Sequence, residues 1–312
     1  MVVTVTLNPA LDLSMDVPDW GTSDVHRARR VTKTAGGKGI NVARVLRELE
    51  EPATAVTILG SDSVQEFRRL AREAALPIIY INIPGEVRTN ISIIDPRSGR
   101  ILRVNQPGTP VLPTYFDHFV LLYKQQMKTA NFVCLGGSLP PGLAPDSWGT
   151  LAALARKQDV PVLIDSVGDG LLAALEQHPT VAKPNRRELS ESLGRSIETV
   201  AEMREGAEEL RARGAAQVFI SNGGENALAL CDEGAWLIHT PPVTVRGTTG
   251  AGDSSAAGLV RGLLKGLPFH ECARLAVACG SASCTTPETQ LLRRRDVEQL
   301  LPKVKAEKLP RG

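Results

Sequence analysis

A glycine turn followed by a carboxylate, within residues 248–258 (TTGAGDSSAAG), carries the clearest chemistry in the sequence. The turn runs straight into a predicted small-residue helix, and free amides at a helix N-terminus bind anions with the help of the helix dipole. Asp253 stands at the same place, where its charge would repel a bound anion. It is therefore suited to act as a general base that takes the proton of an attacking hydroxyl. By spacing alone, an N-cap on a tightly packed helix is the alternative.

A second glycine cluster lies at residues 35–43 (AGGKGINVA), again ahead of a predicted helix. Glycines permit a ligand to approach the backbone closely, and Lys38 and Asn41 are placed to point back over the helix start. These two side chains could bind hydroxyl groups or a phosphate, and a flexible turn is the alternative. The segment is not a Walker P-loop, because no glycine stands five residues before Gly37 and no serine or threonine follows Lys38.

These segments need a framework, and the rest of the chain indicates one. Short β-branched or apolar runs alternate with longer helical patterns, which predicts an α/β protein with a doubly wound, mainly parallel sheet flanked by helices. The clearest strand predictions are 2–7, 53–59, 132–135, 160–164 and 217–221, and the clearest helix predictions are 40–50, 64–75, 145–157, 198–213 and 254–265. In such sheets ligands bind outside the carboxyl ends of the strands.

Two stretches interrupt the alternation, because 12–34 and 85–105 show strand-like patterns punctuated by turns and no helical pattern between them. We expect them to pair as a small β-sheet that acts as a lid over the carboxyl ends of the main strands. The remaining segments, 1–11, 35–84 and 106–312, are then expected to form one large domain that binds nucleotide and substrate.

Composition narrows the possible partners. The formal net charge is only +2 and no basic stripe interleaved with aromatic residues occurs, so the sequence predicts no nucleic-acid surface. Five cysteines without a CxxC pair favour neither a disulfide framework nor a zinc site, and we expect them to be reduced and mostly buried. No signal-peptide pattern and no apolar run of about 20 residues occurs, which predicts no membrane association and a cytoplasmic location.

The two glycine segments resemble the two signature motifs of the ribokinase-like PfkB family of carbohydrate kinases, in the same order and at similar separation. Three further segments support the resemblance: TLNPALD at 6–12, GGSLPPG at 136–142 and KPNRRE at 183–188. Together the matches cover nearly the whole chain. The resemblance implies a ribokinase-like fold and an enzyme that transfers the γ-phosphoryl group of ATP to a sugar hydroxyl with the help of Mg²⁺.

The resemblance also implies a role for individual positions. The catalytic base is Asp253, with the amides of Gly250, Ala251 and Gly252 as the anion hole. Residues expected to hold a phosphorylated sugar are Asp12, Gly37, Lys38, Asn41, Arg88 and Ser138, together with Arg27, which is an exposed charge on the lid in the alternative interpretation. Residues expected to bind the nucleotide are Lys183, Asn185, Ser221, Gly223, Glu225, Cys279, Gly280 and Ser283. The metal is expected at Asn185 and Glu188, through water.

The acceptor sugar is less closely defined than the reaction. The resemblance implies a ketohexose phosphate, with fructose 1-phosphate expected first and tagatose 6-phosphate or fructose 6-phosphate left open. A catalytically silent sensor of sugar phosphates is the alternative from another class, although the complete turn around Asp253 speaks against it. A dinucleotide-dependent dehydrogenase would need GxGxxG after the first strand, where residues 7–10 read LNPA. The lid surfaces of two copies could also pair in a homodimer.

Overall fold

The computed structural model describes residues 1–21, 25–287 and 290–310, so residues 22–24 of the expected lid segment 12–34 lie outside it. The strands are β1 (Val2–Thr6), β2 (Ala10–Asp16), β3 (Arg30–Gly36), β4 (Ala53–Gly60), β5 (Ile78–Ile83), β6 (Arg88–Ile94), β7 (Ile101–Asn105), β8 (Phe132–Gly136), β9 (Val162–Asp165), β10 (Val181–Ala182), β11 (Gln217–Ile220), β12 (Ala227–Cys231), β13 (Gly234–His239) and β14 (Lys305–Lys308). The helices are α1 (Lys38–Glu48), α2 (Val64–Glu73), α3 (Pro113–Met127), α4 (Ser147–Arg156), α5 (Gly168–Leu175), α6 (Arg186–Leu193), α7 (Val200–Ala212), α8 (Ala251–Leu264), α9 (Phe269–Cys284) and α10 (Arg294–Leu300).

Most strands join one large sheet in the order β14-β13-β12-β11-β10-β9-β8-β1-β4-β5. In this sheet the neighbouring strands β5, β4, β1, β8, β9, β10 and β11 run parallel to one another. Strands β12, β13 and β14 continue the sheet with antiparallel pairing. Central strands such as β1, β4 and β8 are buried along their whole length, as expected for strands covered by helices on both faces. Two apolar clusters, one on each face of this sheet, form the core. The predicted doubly wound α/β architecture is confirmed.

The second sheet, which we call the lid sheet, contains four strands in the order β3-β2-β6-β7. Strand β2 pairs antiparallel with β3 and parallel with β6, and β6 pairs antiparallel with β7. Successive side chains alternate between the faces of a strand, so this register gives the sheet one polar and one apolar face. The expected small separate sheet is therefore present, and its strands β2 and β3 extend two residues beyond each end of the predicted segment 12–34.

The predicted elements differ from the structure mainly at their ends. Helix α8 begins at Ala251, three residues before the predicted start, and β9 begins two residues after its predicted start. The hairpin of β12 and β13 and the terminal strand β14 were not predicted, because their short runs lack a helix between them. All five cysteines are free, and four of them are buried, as expected. In the described part of the chain, no helix is long and apolar enough to span a membrane.

Candidate active site

The turn that enters α8 is shaped by glycine. Gly250 is the N-cap residue and has a left-handed backbone, with φ of 79°, and a β-carbon there would also collide with the side chain of Leu291. No side chain caps this helix start. The amide of Ala251 donates a long 3.3 Å hydrogen bond to the Thr248 carbonyl, whereas Gly252 lies in the first turn, where amides have no intrahelical acceptor. We call residues 248–252 the anion turn, because its geometry leaves donors at a helix N-terminus.

Asp253 lies directly behind this turn and is only 8% exposed. Its Oδ2 accepts a 2.8 Å hydrogen bond from Asn41 Nδ2, which comes from the first turn of α1. The N-cap residue of α8 is Gly250, so the alternative in which Asp253 is the N-cap is wrong. The two glycine segments that the sequence singled out therefore meet at this carboxylate.

The surroundings of Asp253 favour a proton acceptor. Burial raises the pKa of Asp253 to about 6, and the charge of Asp165 adds to this effect, while Lys38, the hydrogen bond from Asn41 and Lys183 oppose it. A carboxyl group with this pKa is mostly ionised at neutral pH and yet is more basic than an exposed aspartate. This is the range in which general-base catalysis is efficient.

The glycines before α1 are explained by close packing against β1. Gly37 has φ of 119°, and a β-carbon there would lie 2.6 Å from Cγ2 of Thr6. The hydroxyl of Thr6 accepts a hydrogen bond from the amide of Ile40, which fixes the first turn of the helix against the strand end. As a result, Asn41 reaches Asp253 in the first turn of α8, and Lys38 reaches Asp165 at the end of β9.

Lys38 belongs to a chain of charges that spans the site. Its Nζ lies 2.6 Å from Asp165 Oδ1 and 3.2 Å from Glu188 Oε1. Lys183 Nζ lies 3.0 Å from the other oxygen of Asp165, and these two residues are almost completely buried. Burial alone would raise the pKa of Asp165, but the charges of Lys183 and Lys38 outweigh it and hold this pKa below its usual value.

Asp165 was missed by the sequence analysis, although a signal existed. It follows the predicted strand 160–164 directly and ends β9, so it lies at the carboxyl edge of the parallel sheet. Polar residues at that edge are candidates for a ligand site. What the sequence could not show is that Lys38, 127 residues away along the chain, would reach it.

The region around Glu188 fits a magnesium ion that is held mainly by water and phosphate. Asn185 and Glu188 form a capping box at the start of α6: each side chain accepts a hydrogen bond from the other's backbone amide. The remaining Glu188 oxygen and Asp165 face the same ammonium group, so the space between them accommodates a positive charge. In the described residues, no group of three or more His, Cys, Asp or Glu side chains is suited to a metal. Mg²⁺ usually keeps several waters and is bound by one or two carboxylates together with substrate phosphates.

A cavity of about 470 Å³ opens beside the anion turn. One end has apolar walls from β11, β12, α9 and the segment before the anion turn, and the other end reaches Gly252. The expected nucleotide-binding residues that line it are Asn185, Ser221, Gly223, Glu225 and Gly280. Its size and its two unlike ends suit a base at the apolar end and phosphates at the anion turn.

Three of the expected nucleotide-binding residues do not line this cavity. Cys279 and Ser283 are buried, and Ser283 Oγ would lie 4.0 Å from a β-carbon on Gly250, so Ser283 is close to the anion turn without lining the cavity. Lys183 lies behind the anion turn, where its Nζ would be 3.8 Å from a β-carbon on Gly252. Its buried charge acts on the site through Asp165.

Asp12 faces the site from the lid sheet. Its Oδ1 accepts a 2.9 Å hydrogen bond from Asn90 Nδ2 of the neighbouring strand β6. Burial raises the pKa of Asp12, against the hydrogen bond from Asn90 and the charges of Arg88 and Arg44. The polar face of the lid sheet therefore presents hydrogen-bonding groups to the cleft above Asp253, as a sugar site requires.

Arg88 and Ser138 lie at the base of the lid sheet. Arg88 donates hydrogen bonds to the carbonyl oxygens of Asn8 (3.0 Å) and Gln106 (3.1 Å), so it joins two of the chain crossings between the sheets. Its Nε is buried and has no hydrogen-bond partner in the described residues. The Ser138 hydroxyl accepts a 3.3 Å hydrogen bond from the Asn8 side chain.

Arg27 is not brought to this site within one chain. It is exposed and precedes Arg30. Arg30 pairs with Asp16 at the end of the lid sheet that is opposite the Ala10–Gly36 pair. Asp12 pairs with Thr34, which is four residues beyond Arg30 along β3. Since each strand residue rises about 3.3 Å, Arg27 lies well away from Asp12. The weak register of this segment in the sequence explains why its position could not be predicted.

Arg103 is a lid residue that the sequence analysis missed. It lies on β7, on the same face of the lid sheet as Asp12, and its Nη2 donates to the hydroxyls of Thr248 (3.1 Å) and Thr249 (3.4 Å). The lid sheet therefore contacts the anion turn directly. Nothing in the exposed run around Arg103 distinguishes it from the neighbouring arginines before the fold is known.

This site is suited to phosphoryl transfer to an alcohol group, because a nucleotide-sized cavity adjoins uncapped helix amides and a buried carboxylate lies beside them. Comparison with known proteins gives the family. The model of the pfkB family carbohydrate kinases matches residues 5–294, and the chain belongs to this family.

Relatives match over essentially the whole length. The 1-phosphofructokinase of Bacillus subtilis is 33% identical over 309 residues, covering 99% of this chain and all of the relative. The 1-phosphofructokinase of Xanthomonas campestris is 36% identical, with 92% of this chain and 94% of the relative covered. Among solved structures, a possible 1-phosphofructokinase from Thermotoga maritima superimposes with a TM-score of 0.92 at 28% identity, over 99% of this chain and all of that one.

Proposed function

We propose that this protein transfers the γ-phosphoryl group of ATP to a hydroxyl of fructose 1-phosphate and forms fructose 1,6-bisphosphate. The observation that carries the phosphoryl transfer is the position of Asp253, a buried carboxylate with a raised pKa directly beside uncapped helix amides. The choice of fructose 1-phosphate is supported by the full-length relatives, which are named 1-phosphofructokinases.

In this mechanism the residues of the chain position two substrates and move one proton. The sugar hydroxyl lies against Asp253 Oδ, which takes its proton as the oxygen–phosphorus bond forms and the bond between the γ-phosphorus and the leaving oxygen of ADP breaks. The uncapped amides of the anion turn stabilise the charge on the transferring group, since phosphoryl transfer depends mainly on positioning and electrostatics. Mg²⁺, when bound through water near Asn185 and Glu188, neutralises the charge of the nucleotide phosphates. Asn41 holds the Asp253 carboxylate in place.

The lid sheet completes the site from above. Asp12, supported by Asn90, is placed to bind sugar hydroxyls, and Arg103 already contacts the anion turn. We propose that segments 12–34 and 85–105 move together as this lid and close over bound substrates. Closure excludes water, which limits wasteful hydrolysis of ATP. The proposed substrates belong to cytoplasmic metabolism, so the proposal includes a cytoplasmic location.

A substrate panel tests the proposal. ATP consumption is measured with fructose 1-phosphate, fructose 6-phosphate, tagatose 6-phosphate, fructose and ribose, and the highest kcat/KM is expected for fructose 1-phosphate. The cations at the site, Lys38 and Arg88, favour a phosphorylated sugar over a free one. A higher kcat/KM for tagatose 6-phosphate or fructose 6-phosphate would show that the proposed acceptor sugar is wrong, whereas the proposed phosphoryl transfer would stand. Binding of a sugar phosphate without turnover would support a sensor instead.

The apolar face of the lid sheet leads to a prediction about assembly. Two cross-strand columns expose aliphatic side chains there: Val31, Leu102 and Val104 are 59%, 43% and 50% exposed. A small sheet of this kind gains stability by covering such a face. We expect two copies to pair through these faces, and Leu102→Lys to weaken the dimer at least about 10-fold, because the charge would be buried at the interface.

Sedimentation velocity over a range of concentrations measures this effect. The matched control is Leu121→Lys, since Leu121 is 58% exposed on α3 and lies outside the lid sheet. We expect this control to sediment like the unchanged protein. A protein that remains monomeric at every concentration tested, or a Leu121→Lys variant that dissociates as readily as Leu102→Lys, would contradict pairing through the lid.

A further inference from the structure

Lys38 holds a position that its sequence context alone does not explain. It extends from the first residue of α1 to two carboxylates on the other side of the site, at the end of β9 and in the first turn of α6. Its Nζ lies 2.6 Å from Asp165 Oδ1 and 3.2 Å from Glu188 Oε1. We call these two carboxylates the acid pair. The acid pair is well buried, with side-chain exposures of 4% and 14%.

Lys38 is the cation that contacts both carboxylates of the acid pair. Asp253 is close enough to interact with Asp165, so three carboxylates face the ammonium groups of Lys38 and Lys183. Lys183 contacts only the Oδ2 side of Asp165 and makes no ion pair with Glu188 in the described residues. Removal of Lys38 would therefore leave Asp165 Oδ1 and Glu188 Oε1 facing one space with no cation between them. Buried carboxylates in that arrangement attract a hard cation strongly.

We propose that Lys38 is an internal counter-cation that excludes divalent metal from the acid pair until a nucleotide binds. In the nucleotide-free protein its ammonium group lies between the two carboxylates of the acid pair, and an entering metal ion would have to displace it. Nucleotide phosphates offer Lys38 a second set of anionic partners, and this releases the acid pair to water-bound metal. Metal then enters with the nucleotide rather than before it. The inference rests on the proposed function, which assigns Glu188 to the metal.

Binding of Mn²⁺ to the nucleotide-free protein tests this inference. Free Mn²⁺ is measured by electron paramagnetic resonance for the unchanged protein, Lys38→Gln and Lys38→Arg. We expect Lys38→Gln to bind Mn²⁺ at least about 10-fold more tightly than the unchanged protein, because the positive charge that competes with the metal for the acid pair is removed. Lys38→Arg keeps the charge and is expected to bind as weakly as the unchanged protein. Equal affinity in Lys38→Gln and the unchanged protein would overturn the proposal.

The double variant Lys38→Gln/Glu188→Gln shows whether the gain arises at the acid pair. Glutamine keeps an oxygen for the Asn185 amide and is accepted at the third position of a capping box, so the start of α6 is preserved. We expect the gain in Mn²⁺ affinity to disappear in the double variant. A gain that persists there would place the new Mn²⁺ site elsewhere and refute the inference. The urea midpoint of each variant verifies that it is folded.

Saturating ADP tests the second half of the proposal. With ADP bound, Lys38 no longer competes for the acid pair, so Mn²⁺ affinities of the unchanged protein and Lys38→Gln are expected to agree within about threefold. A difference as large as that without nucleotide would show that Lys38 does not move. None of these measurements uses a sugar or turnover, so they are independent of the substrate panel. If the protein phosphorylates fructose 1-phosphate but Lys38→Gln does not change the Mn²⁺ affinity, this inference is wrong and the proposed function still stands.

Discussion

Replacement of Asp253 by asparagine is expected to lower kcat by at least about two orders of magnitude, because general-base catalysis contributes roughly 10²- to 10⁴-fold. Asparagine fits the same space and can still accept the hydrogen bond from Asn41 through its carbonyl oxygen. It cannot take a proton from the sugar hydroxyl. The loss should therefore appear in kcat, with little change in ATP affinity, which a direct binding measurement with ADP or a non-hydrolysable nucleotide determines separately.

The stability of this variant provides an independent measurement. The pKa of Asp253 is raised to about 6 in the folded protein, whereas an aspartate in the unfolded chain has its ordinary pKa of 3.8. Between these pH values the folded state binds more protons, so the contribution of this group to stability is present below about pH 4 and is lost as pH rises through about 6. The ionised carboxylate then costs about 3 kcal/mol at neutral pH.

Asp253→Asn should therefore raise the unfolding free energy at pH 7.5 and change it little at pH 4. The unchanged enzyme should show a fall in kcat/KM below about pH 6, since this parameter reports groups of the free enzyme. Urea titrations at pH 7.5 and pH 4 measure the unfolding free energies, and a pH–rate profile measures the fall in kcat/KM. A variant that keeps more than about a tenth of kcat would contradict the general-base role, and a variant less stable than the unchanged protein at pH 7.5 would contradict the burial argument.

The sequence predicted the part of the site that depends on local backbone chemistry. The turn at Gly250 needs a residue that tolerates a left-handed backbone, and Gly37 needs one without a β-carbon beside Thr6, so both are marked by residue type. The strands that carry these segments are continuous apolar runs, which are recognisable in a parallel sheet. The lid sheet was predictable for a similar reason, because alternating polar and apolar residues in 12–16 and 88–94 match its two faces.

What the sequence did not reveal depends on distant contacts. Asp165 was not singled out, and Lys183 was assigned to the nucleotide, whereas the pairing of β9 and β10 brings these two residues within 3.0 Å of each other. Cys279 and Ser283 were assigned to the nucleotide, but they do not line the cavity, because the way α9 packs against α8 decides which of its residues do. That packing is set by small residues such as Gly258, where a β-carbon would lie 2.8 Å from Ala276 Cα. The spacing of residues along the sequence does not determine which face of a helix is turned towards its neighbour.

The burial of the Asp165–Lys183 pair leads to the largest expected effect on stability. Both residues are nearly inaccessible, at 3% and 2% exposure, and their charged groups lie 3.0 Å apart. Asp165→Asn would leave the Lys183 ammonium group buried without its anion and would also remove a partner of Lys38. Breaking a buried ion pair in this way costs about 3–5 kcal/mol, a large part of the 5–15 kcal/mol that stabilises a typical domain.

Urea unfolding of Asp165→Asn measures this cost, and an exposed pair gives the matched control. Arg69 and Glu73 form a 2.6 Å ion pair on α2 with both side chains more than half exposed, so Glu73→Gln should change the unfolding free energy by less than about 1 kcal/mol. If Asp165→Asn has an effect as small as this control, water must reach Lys183 and the pair is not the buried element that the packing indicates.

A double variant separates the stabilising role of this pair from its role in the site. Asp165→Asn/Lys183→Met removes both charges, and replacement of a whole buried pair by neutral groups is often without cost, so much of the lost stability should return. Turnover should not return with it, because the acid pair beside Lys38 would still lack one carboxylate. A stable but inactive double variant would show that the chain retains this buried pair for phosphoryl transfer, whereas recovery of both properties would make Asp165 a purely structural residue.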